Sequence, residues 1–173
     1  QYYLKGYSGT NLGSVQEQAT GEPAVEAFAN AMAQELVKLS WNYIELNNAS
    51  NEILRAYYQR SGGMVLPPDM KQWYSERLGT ACTAREAENL QATLTLHPSD
   101  YITADLEQKL NSVFPLEITT ETGIPLTIRY TFDPGGIGYS SEPKHAAIIM
   151  IPAEHVMRLR ASDLPTLGYP DHT

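Results

Sequence analysis

The stretch LEITTETGIPLTIRYTF, residues 116–132, decides the fold class, because apolar and polar residues alternate on both sides of a turn. Such alternation is typical of strands that bury one face. It predicts strands over residues 116–120 and 125–132, joined by a turn at Thr122 and Gly123. This part of the chain is therefore expected to form a hairpin.

Neighbouring patterns place this hairpin in a β-α-β-β-β order. Residues 90–96 alternate apolar residues with Thr and predict a half-buried strand. Residues 104–113 carry apolar residues on one helical face and acidic residues in the first turn, which predicts a helix. Residues 146–151 form an almost continuous apolar run, typical of a strand covered on both faces. We expect a small antiparallel or mixed sheet with helices on one face.

The first half of the chain is predicted to be helical. Apolar residues recur at steps of three and four from Pro23 to Tyr43, and a similar stripe resumes over residues 53–60. One helix could continue throughout, but a break at Asn47 and Asn48 is favoured, because Asn is common where helices begin and end. The sequence thus predicts two helical pieces.

Two shorter helices follow a turn at Gly62 and Gly63. The first is expected over residues 69–78 and ends at Gly79, since Gly commonly follows a helix. The second spans residues 84–89 and begins with the spacing of a capping box, Thr83 and Glu86. The predicted fold class is therefore α+β, with N-terminal helices before the β-α-β-β-β unit.

Composition predicts one domain between an N-terminal arm and a C-terminal tail. Residues 1–21 are rich in Gly, Ser, Thr and Gln and are expected to form a flexible N-terminal arm. Residues 22–161 form the predicted single α+β domain, and residues 162–173 an extended C-terminal tail. Hydrophobic residues make up 42% of the chain, which is enough for a core without a disulfide or metal.

Charge and cysteine content exclude several classes of function. Twelve basic and twenty acidic residues give a net charge of −8, which would repel a phosphate backbone, so no nucleic-acid partner is expected. No apolar run reaches the roughly 18 to 20 residues of a membrane span, so no direct membrane insertion is expected. The single cysteine, Cys82, cannot form an intrachain disulfide or a cysteine zinc site.

The loop DPGGIG, residues 133–138, has the glycine content of a phosphate-binding loop. Such loops hold the anion at the N-terminus of a following helix, and here a strand is predicted to follow. A hairpin connection that needs positive φ angles is the better interpretation. The sequence therefore predicts no cofactor.

His145 and His155 flank the last predicted strand, with Glu142 and Glu154 beside them. These residue types ligate divalent metals, so a small metal-dependent or small-molecule enzyme is an alternative hypothesis. An extended run of ten residues would hold the two imidazoles about 33 Å apart, at roughly 3.3 Å per residue. Ordinary histidines at the ends of a strand are therefore the simpler interpretation.

Eleven tyrosines against three phenylalanines suggest a binding surface, because Tyr offers a large contact area with a polar tip. The candidate interaction residues are Tyr2, Tyr3, Tyr7, Tyr57, Tyr58, Trp73 and Tyr74. The alternative is a helical core whose tyrosines reach out to water.

Because no catalytic motif is present, the leading hypothesis is a non-catalytic protein-interaction or assembly module. It would be a subunit or an extracytoplasmic domain of a larger complex, with a protein partner or self-association. A carbohydrate-binding module with exposed aromatic residues is a further alternative.

Overall fold

A computed structural model describes residues 2–4, 15–17, 21–39, 42–136 and 142–167 of the 173-residue chain. Within these residues the elements follow the order β1 (Tyr2–Leu4), β2 (Val15–Glu17), α1 (Glu22–Ala33), α2 (Tyr43–Arg60), α3 (Met70–Leu78), α4 (Ala84–Glu88), α5 (Ala104–Val113), β3 (Glu117–Thr119), β4 (Pro125–Asp133) and β5 (Lys144–Met150). Short 3-10 turns lie at Pro98–Asp100, Ala153–His155 and Ala161–Asp163. The predicted α+β class is confirmed.

The strands form two antiparallel sheets. One has three strands in the order β3-β4-β5, as the hairpin at residues 116–132 predicted. The other pairs β1 with β2, so that Tyr2 lies opposite Glu17 and Leu4 opposite Val15. This second pairing lies in the stretch predicted as an arm, where no residue pattern indicated strands.

The chain divides into two compact units. The first comprises Gln1–Asn48 and Pro68–Leu96, and the second Ala49–Pro67 and His97–Thr173. Helix α2 therefore contributes its first turns to one unit and its later turns to the other. The predicted domain over residues 22–161 includes parts of both units.

Helices α1 and α3 pack together in the first unit. Ala29 and Met32 of α1 and Trp73 and Tyr74 of α3 are all buried. Asp69 begins α3 by accepting a hydrogen bond from the N–H of Gln72 at 2.9 Å. The predicted helix over residues 69–78 is confirmed.

Helix α1 ends earlier than its apolar stripe predicted. Glu35 adopts a positive φ of 59°, while the N–H of Leu36 donates to the carbonyl of Ala31 at 2.8 Å and that of Glu35 to Met32 at 3.0 Å. These two bonds form a Schellman motif, which usually has Gly at the left-handed position. Because Glu occupies that position here, the sequence concealed the end of the helix.

The predicted break at Asn47 and Asn48 is wrong, since α2 runs through both residues. Asn47 is completely buried, and its side-chain amide bonds to Tyr74, Leu94 and Leu96 instead of competing with its own backbone. The chain does form two helical pieces, but they are separated by the segment between Ala33 and Tyr43.

The predicted strand over residues 90–96 is also wrong, because residues 90–94 form successive turns. The N–H groups of Thr93 and Leu94 both donate to the carbonyl of Leu90 at 2.9 Å, and Leu94 and Leu96 are buried. The same alternation can thus be produced by turns that follow a short helix. The sheet contains the last three strands of the predicted order.

The cap of α4 and the position of α5 were predicted correctly. Thr83 and Glu86 form the predicted capping box at the start of α4, and the predicted helix over residues 104–113 is confirmed as α5. The cap of α4 depends on side chains within a few residues of the backbone groups that they bond. The local sequence was therefore enough to place it.

In the second unit, helices cover one face of the three-stranded sheet. Leu110 and Phe114 at the end of α5 pack against Ile128 and Tyr130 of β4, and Tyr57 of α2 packs against the same cluster. The alternate residues of β4 are exposed on the opposite face. The predicted position of helices on one side of the sheet is confirmed. No helix in the described part of the chain is long and apolar enough to cross a membrane.

Candidate functional site

Strand β5 is an exposed edge of the sheet. Within the described residues it pairs only with β4, and Ile148 is 50% exposed, Met150 40% and Ile151 37%. The prediction that residues 146–151 are covered on both faces is wrong for this chain taken alone. An apolar strand without cover is unusual, because most proteins protect such edges with charges, prolines or bulges.

The register of β5 determines which face each side chain occupies. Ile148 lies opposite Arg129 and Met150 opposite Thr127, on the face away from the helices. Ala147 lies opposite Tyr130, on the face that carries the helices. Both faces of the strand therefore present apolar side chains to solvent.

The backbone of β5 also has free hydrogen-bonding groups along its outer edge. The N–H of Ile128 in β4 donates to the carbonyl of Leu116 at 2.7 Å and so points away from β5. Because backbone direction alternates along a strand, the neighbour of Ile128, Arg129, bonds to its opposite residue Ile148. Ala147 and Ile149 then direct their N–H and C=O groups outward, away from β4.

Exposed apolar residues continue beyond β5. In the turns that follow the strand, Val156 is 53% and Met157 94% exposed. Together with Ile148, Met150 and Ile151 they form the segment that we call the apolar edge. Large exposed apolar areas commonly mark sites of protein association.

A groove of about 630 Å³ lies beside β5 on the helix side of the sheet. The second unit provides its lining, which includes Ser61, Met64, Phe132, His145, Ala147 and Leu167. A volume of this size is in the range of small-molecule pockets.

The imidazole of His145 lies in this groove, as does the ring of Tyr130. The imidazole packs edge-on against Phe114, with centroids 4.9 Å apart, and lies 5.8 Å from the ring of Tyr130. Gly62 has a φ of +64°, and a Cβ there would lie 3.0 Å from the Nδ1 atom of His145. The imidazole therefore packs closely over the glycine turn.

The four residues of the alternative metal site are placed as follows. His145 lies in β5, while His155 lies in the 3-10 turn Ala153–His155 beside the exposed Glu154. Glu142 is exposed before β5. No three His, Cys, Asp or Glu side chains in the described ranges are grouped so that they could hold a metal ion. His155 does not line the groove that contains His145.

The candidate aromatic residues are separated between the two units. Trp73 and Tyr74 are 4% and 0% exposed, so they belong to the core of the first unit and offer no surface. Tyr57 donates a hydrogen bond to Glu107 at 2.7 Å, and Tyr58 packs edge-on against Phe132 at 5.4 Å. The carbohydrate-binding alternative gains no support from these buried rings.

The remaining candidates are in the N-terminal hairpin and the glycine-rich loop. Tyr2 and Tyr3 form part of β1, and Tyr7 lies outside the described residues. In the loop, the N–H of Gly135 donates to the carboxylate of Asp133 at 3.0 Å, which is typical of a turn. Positions 137 and 138 of this loop lie outside the described residues.

Tyrosines in both units have raised pKa values. The hydrogen bond to Glu107 raises the pKa of Tyr57, because it favours the protonated phenol. Burial raises the pKa of Tyr74 and of Tyr130. These hydroxyls remain protonated near neutral pH and can act there as hydrogen-bond donors.

Sequence reasoning missed both the apolar edge and the role of Arg60. Arg60 is 6% exposed and donates from Nε to the carbonyl of Phe114 and from a terminal nitrogen to Asn111, both at 2.7 Å. The apolar run of residues 146–151 was a signal for the strand itself, but not for its exposure. Arg60 gave no such signal.

Comparisons with known proteins give no assignment. No protein-family model, curated protein or solved structure matches the chain.

Proposed function

We propose that the chain is a non-catalytic protein-interaction module, a subunit of a larger complex, which binds protein through β5 and the apolar edge. The observation that carries the proposal is the exposure of Ile148 and Met150 on an edge strand. Apolar side chains and free backbone groups occur there together.

This combination suits binding by strand addition. In that mode an extended segment of the partner pairs with the backbone of an edge strand, and alternate side chains provide the apolar contact. The outward N–H and C=O groups of Ala147 and Ile149 would supply the hydrogen bonds. Ile148 and Met150 would supply contact on the open face of the sheet.

The charge of the chain also supports a protein partner. With a net charge of −8, the chain would repel nucleic acid at long range. Along the paired strands the exposed charges are of both signs, since Lys144 lies opposite Asp133, and Arg129 lies opposite Ile148. A partner surface need not be strongly basic to bind there.

The test is photo-crosslinking in the cells that produce the protein. A photoreactive amino acid is placed at Ile148 in one variant and at Ile53 of α2 in the other, because these isoleucines have similar exposure, 50% and 48%. The proposal predicts a discrete protein adduct from position 148 and none from position 53. Equal labelling from both positions, or no adduct from either, would contradict it.

A second candidate function is the binding of a small apolar molecule in the groove. The observation that favours it is the packing of His145 among aromatic rings at the wall of a 630 Å³ groove. A ligand found by thermal-shift screening should stabilise the native chain and not the His145→Gln variant. The His155→Gln variant, which alters a histidine outside the groove, should respond like the native chain. An equal response from all three chains would exclude this site.

A further inference from the structure

The partner of β5 can be named from the strand itself, provided that the proposed function is correct. We infer that β5 pairs with β5 of a second copy of this chain, antiparallel, about a two-fold axis that passes between the two Ala147 residues. The two three-stranded sheets would then join into one continuous sheet.

The first argument is the match of backbone groups. The outward-facing residues are His145, Ala147 and Ile149, because Ala146, Ile148 and Met150 bond to β4. An antiparallel pairing centred on Ala147 places Ala147 opposite Ala147 and His145 opposite Ile149 of the second copy. Every outward N–H and C=O within the strand then has a partner, and all seven residues are used.

The second argument is the match of side chains. Centring on Ala147 places Ala146 opposite Ile148 of the second copy, so a small side chain meets a large one on the open face. Two alanines meet at the axis, where the strands approach without a bulky group between them. The even register also keeps the helices of both copies on the same face of the joined sheet, because opposite residues of an antiparallel pair share a face.

The third argument is charge. The strand KHAAIIM contains one lysine, Lys144, at its end, and the pairing places it opposite Met150 of the second copy. The two lysines would lie about 20 Å apart, at roughly 3.3 Å per residue, which exceeds the screening length of about 8 Å at physiological salt. No like charges therefore face each other across the strands. The strand contains no acidic residue that would attract a strongly basic partner.

The first measurement is the molar mass in solution across a dilution series, by light scattering. The native chain should form a species of twice 19.2 kDa. Ala147→Pro removes an N–H that points outward and leaves the bonds to β4 intact, so it should raise the dimer dissociation constant at least ~10-fold. Far-ultraviolet circular dichroism checks that this variant keeps its fold.

A second pair of variants tests the same contact without introducing a proline into the strand. Ile148→Asp places a charge at the proposed contact, whereas Ile53→Asp places it on a helix surface of similar exposure. The first should produce a monomer and the second should remain a dimer. Equal effects of the two substitutions would overturn the inference.

Disulfide formation tests the register directly, in chains that carry Cys82→Ala. A mixture of the Ala146→Cys and Ile148→Cys chains should oxidise to a disulfide-linked dimer of one chain of each kind. These two positions form a non-hydrogen-bonded pair, whose Cα atoms lie about 4.5 Å apart. Each variant alone should crosslink at least ~10-fold more slowly, because like positions are two residues out of register.

The outcomes separate this inference from the proposed function. A monomer at all concentrations, or a dimer with no mixed disulfide, would overturn the β5 pairing. If a monomer still gave a foreign-protein adduct from position 148 in cells, the interaction module would stand and the second copy would be excluded. If neither photo-crosslinking at position 148 nor disulfide formation between positions 146 and 148 gave an adduct, both proposals would fail.

Discussion

The side-chain amide of Asn47 donates a hydrogen bond to the carbonyl oxygen of Leu94 at 2.7 Å. The carbonyl oxygen of the same amide accepts a bond from the N–H of Leu96, also at 2.7 Å. A completely buried side chain in α2 thus satisfies the backbone of a segment that has no strand or helix of its own. The hydrogen bonds to Asn47 take the place of the strand pairing that was expected for residues 90–96.

Asn47→Ala should therefore destabilise the protein strongly. The substitution leaves a buried N–H and a buried C=O without partners, at a cost of about 2–4 kcal/mol in the free energy of unfolding. The measurement is urea denaturation followed by circular dichroism. Asn48→Ala is the matched control, since Asn48 makes an exposed bond to Glu35 and its loss should change stability by less than about 0.5 kcal/mol. Similar losses for both variants would refute the role of Asn47.

Arg60→Ala should cost about 2–3 kcal/mol of stability, because it removes the buried hydrogen bond from Nε to the carbonyl of Phe114 together with a packed side chain. Arg55 lies in the same helix, but it forms an exposed ion pair with Glu52 at 2.9 Å. Arg55→Ala should therefore cost less than about 0.5 kcal/mol. The two variants are compared by urea denaturation, and a larger loss at Arg55 would contradict this account.

Gly63→Ala should destabilise the protein by about 2–4 kcal/mol, from left-handed strain and from overpacking. The residue has a φ of +86°, and a Cβ would lie 2.5 Å from the ring of Phe132. Gly79 has a similar φ of +60° but open space around it, so Gly79→Ala should cost only about 1–2 kcal/mol. Adding Phe132→Leu to Gly63→Ala should recover part of the loss. No recovery would show that the ring is not the cause.

Stability should fall as the pH rises above 10. The pKa values of Tyr57, Tyr74 and Tyr130 are raised above the usual 10.0 in the folded protein. Unfolded tyrosines therefore release protons at a pH where the folded ones retain them, and the free energy of unfolding decreases with pH. The loss begins near pH 10 and ends above the folded pKa values.

The measurement for this pH dependence is urea denaturation between neutral and alkaline pH, with tyrosinate absorbance recorded in parallel. Tyr57→Phe removes one of the shifted groups, so the decline of its stability above pH 10 should be shallower than that of the native chain. Equal slopes would show that Tyr57 does not titrate with a raised pKa.

Local signals predicted the cap of α4 and the hairpin, because the groups that bond there lie within a few residues of each other. Thr83 with Glu86 shows this, and so does the turn before β4. The end of α1 was missed, since Glu35 takes a conformation that usually requires Gly. The segment at Leu94 was missed because its partner, Asn47, is far away in the sequence.

The candidate site was less accessible to sequence reasoning for a related reason. The apolar run of β5 indicated a strand covered on both faces, whereas the strand is exposed in this chain. The packing of His145 against Phe114 joins residues from different elements and leaves no local spacing. Trp73 and Tyr74 resembled surface aromatics because burial depends on what packs against a helix.

The exposed strand β5 should make the chain prone to aggregation during synthesis and purification. Between Lys144 and Glu154 the chain contains no Asp, Glu, Lys or Arg, and its one proline, Pro152, follows the strand. A segment of this kind can template amyloid-like stacking while its outer edge is open. Expression at high concentration should therefore favour aggregation, and the yield of soluble protein should fall as the concentration of the chain rises.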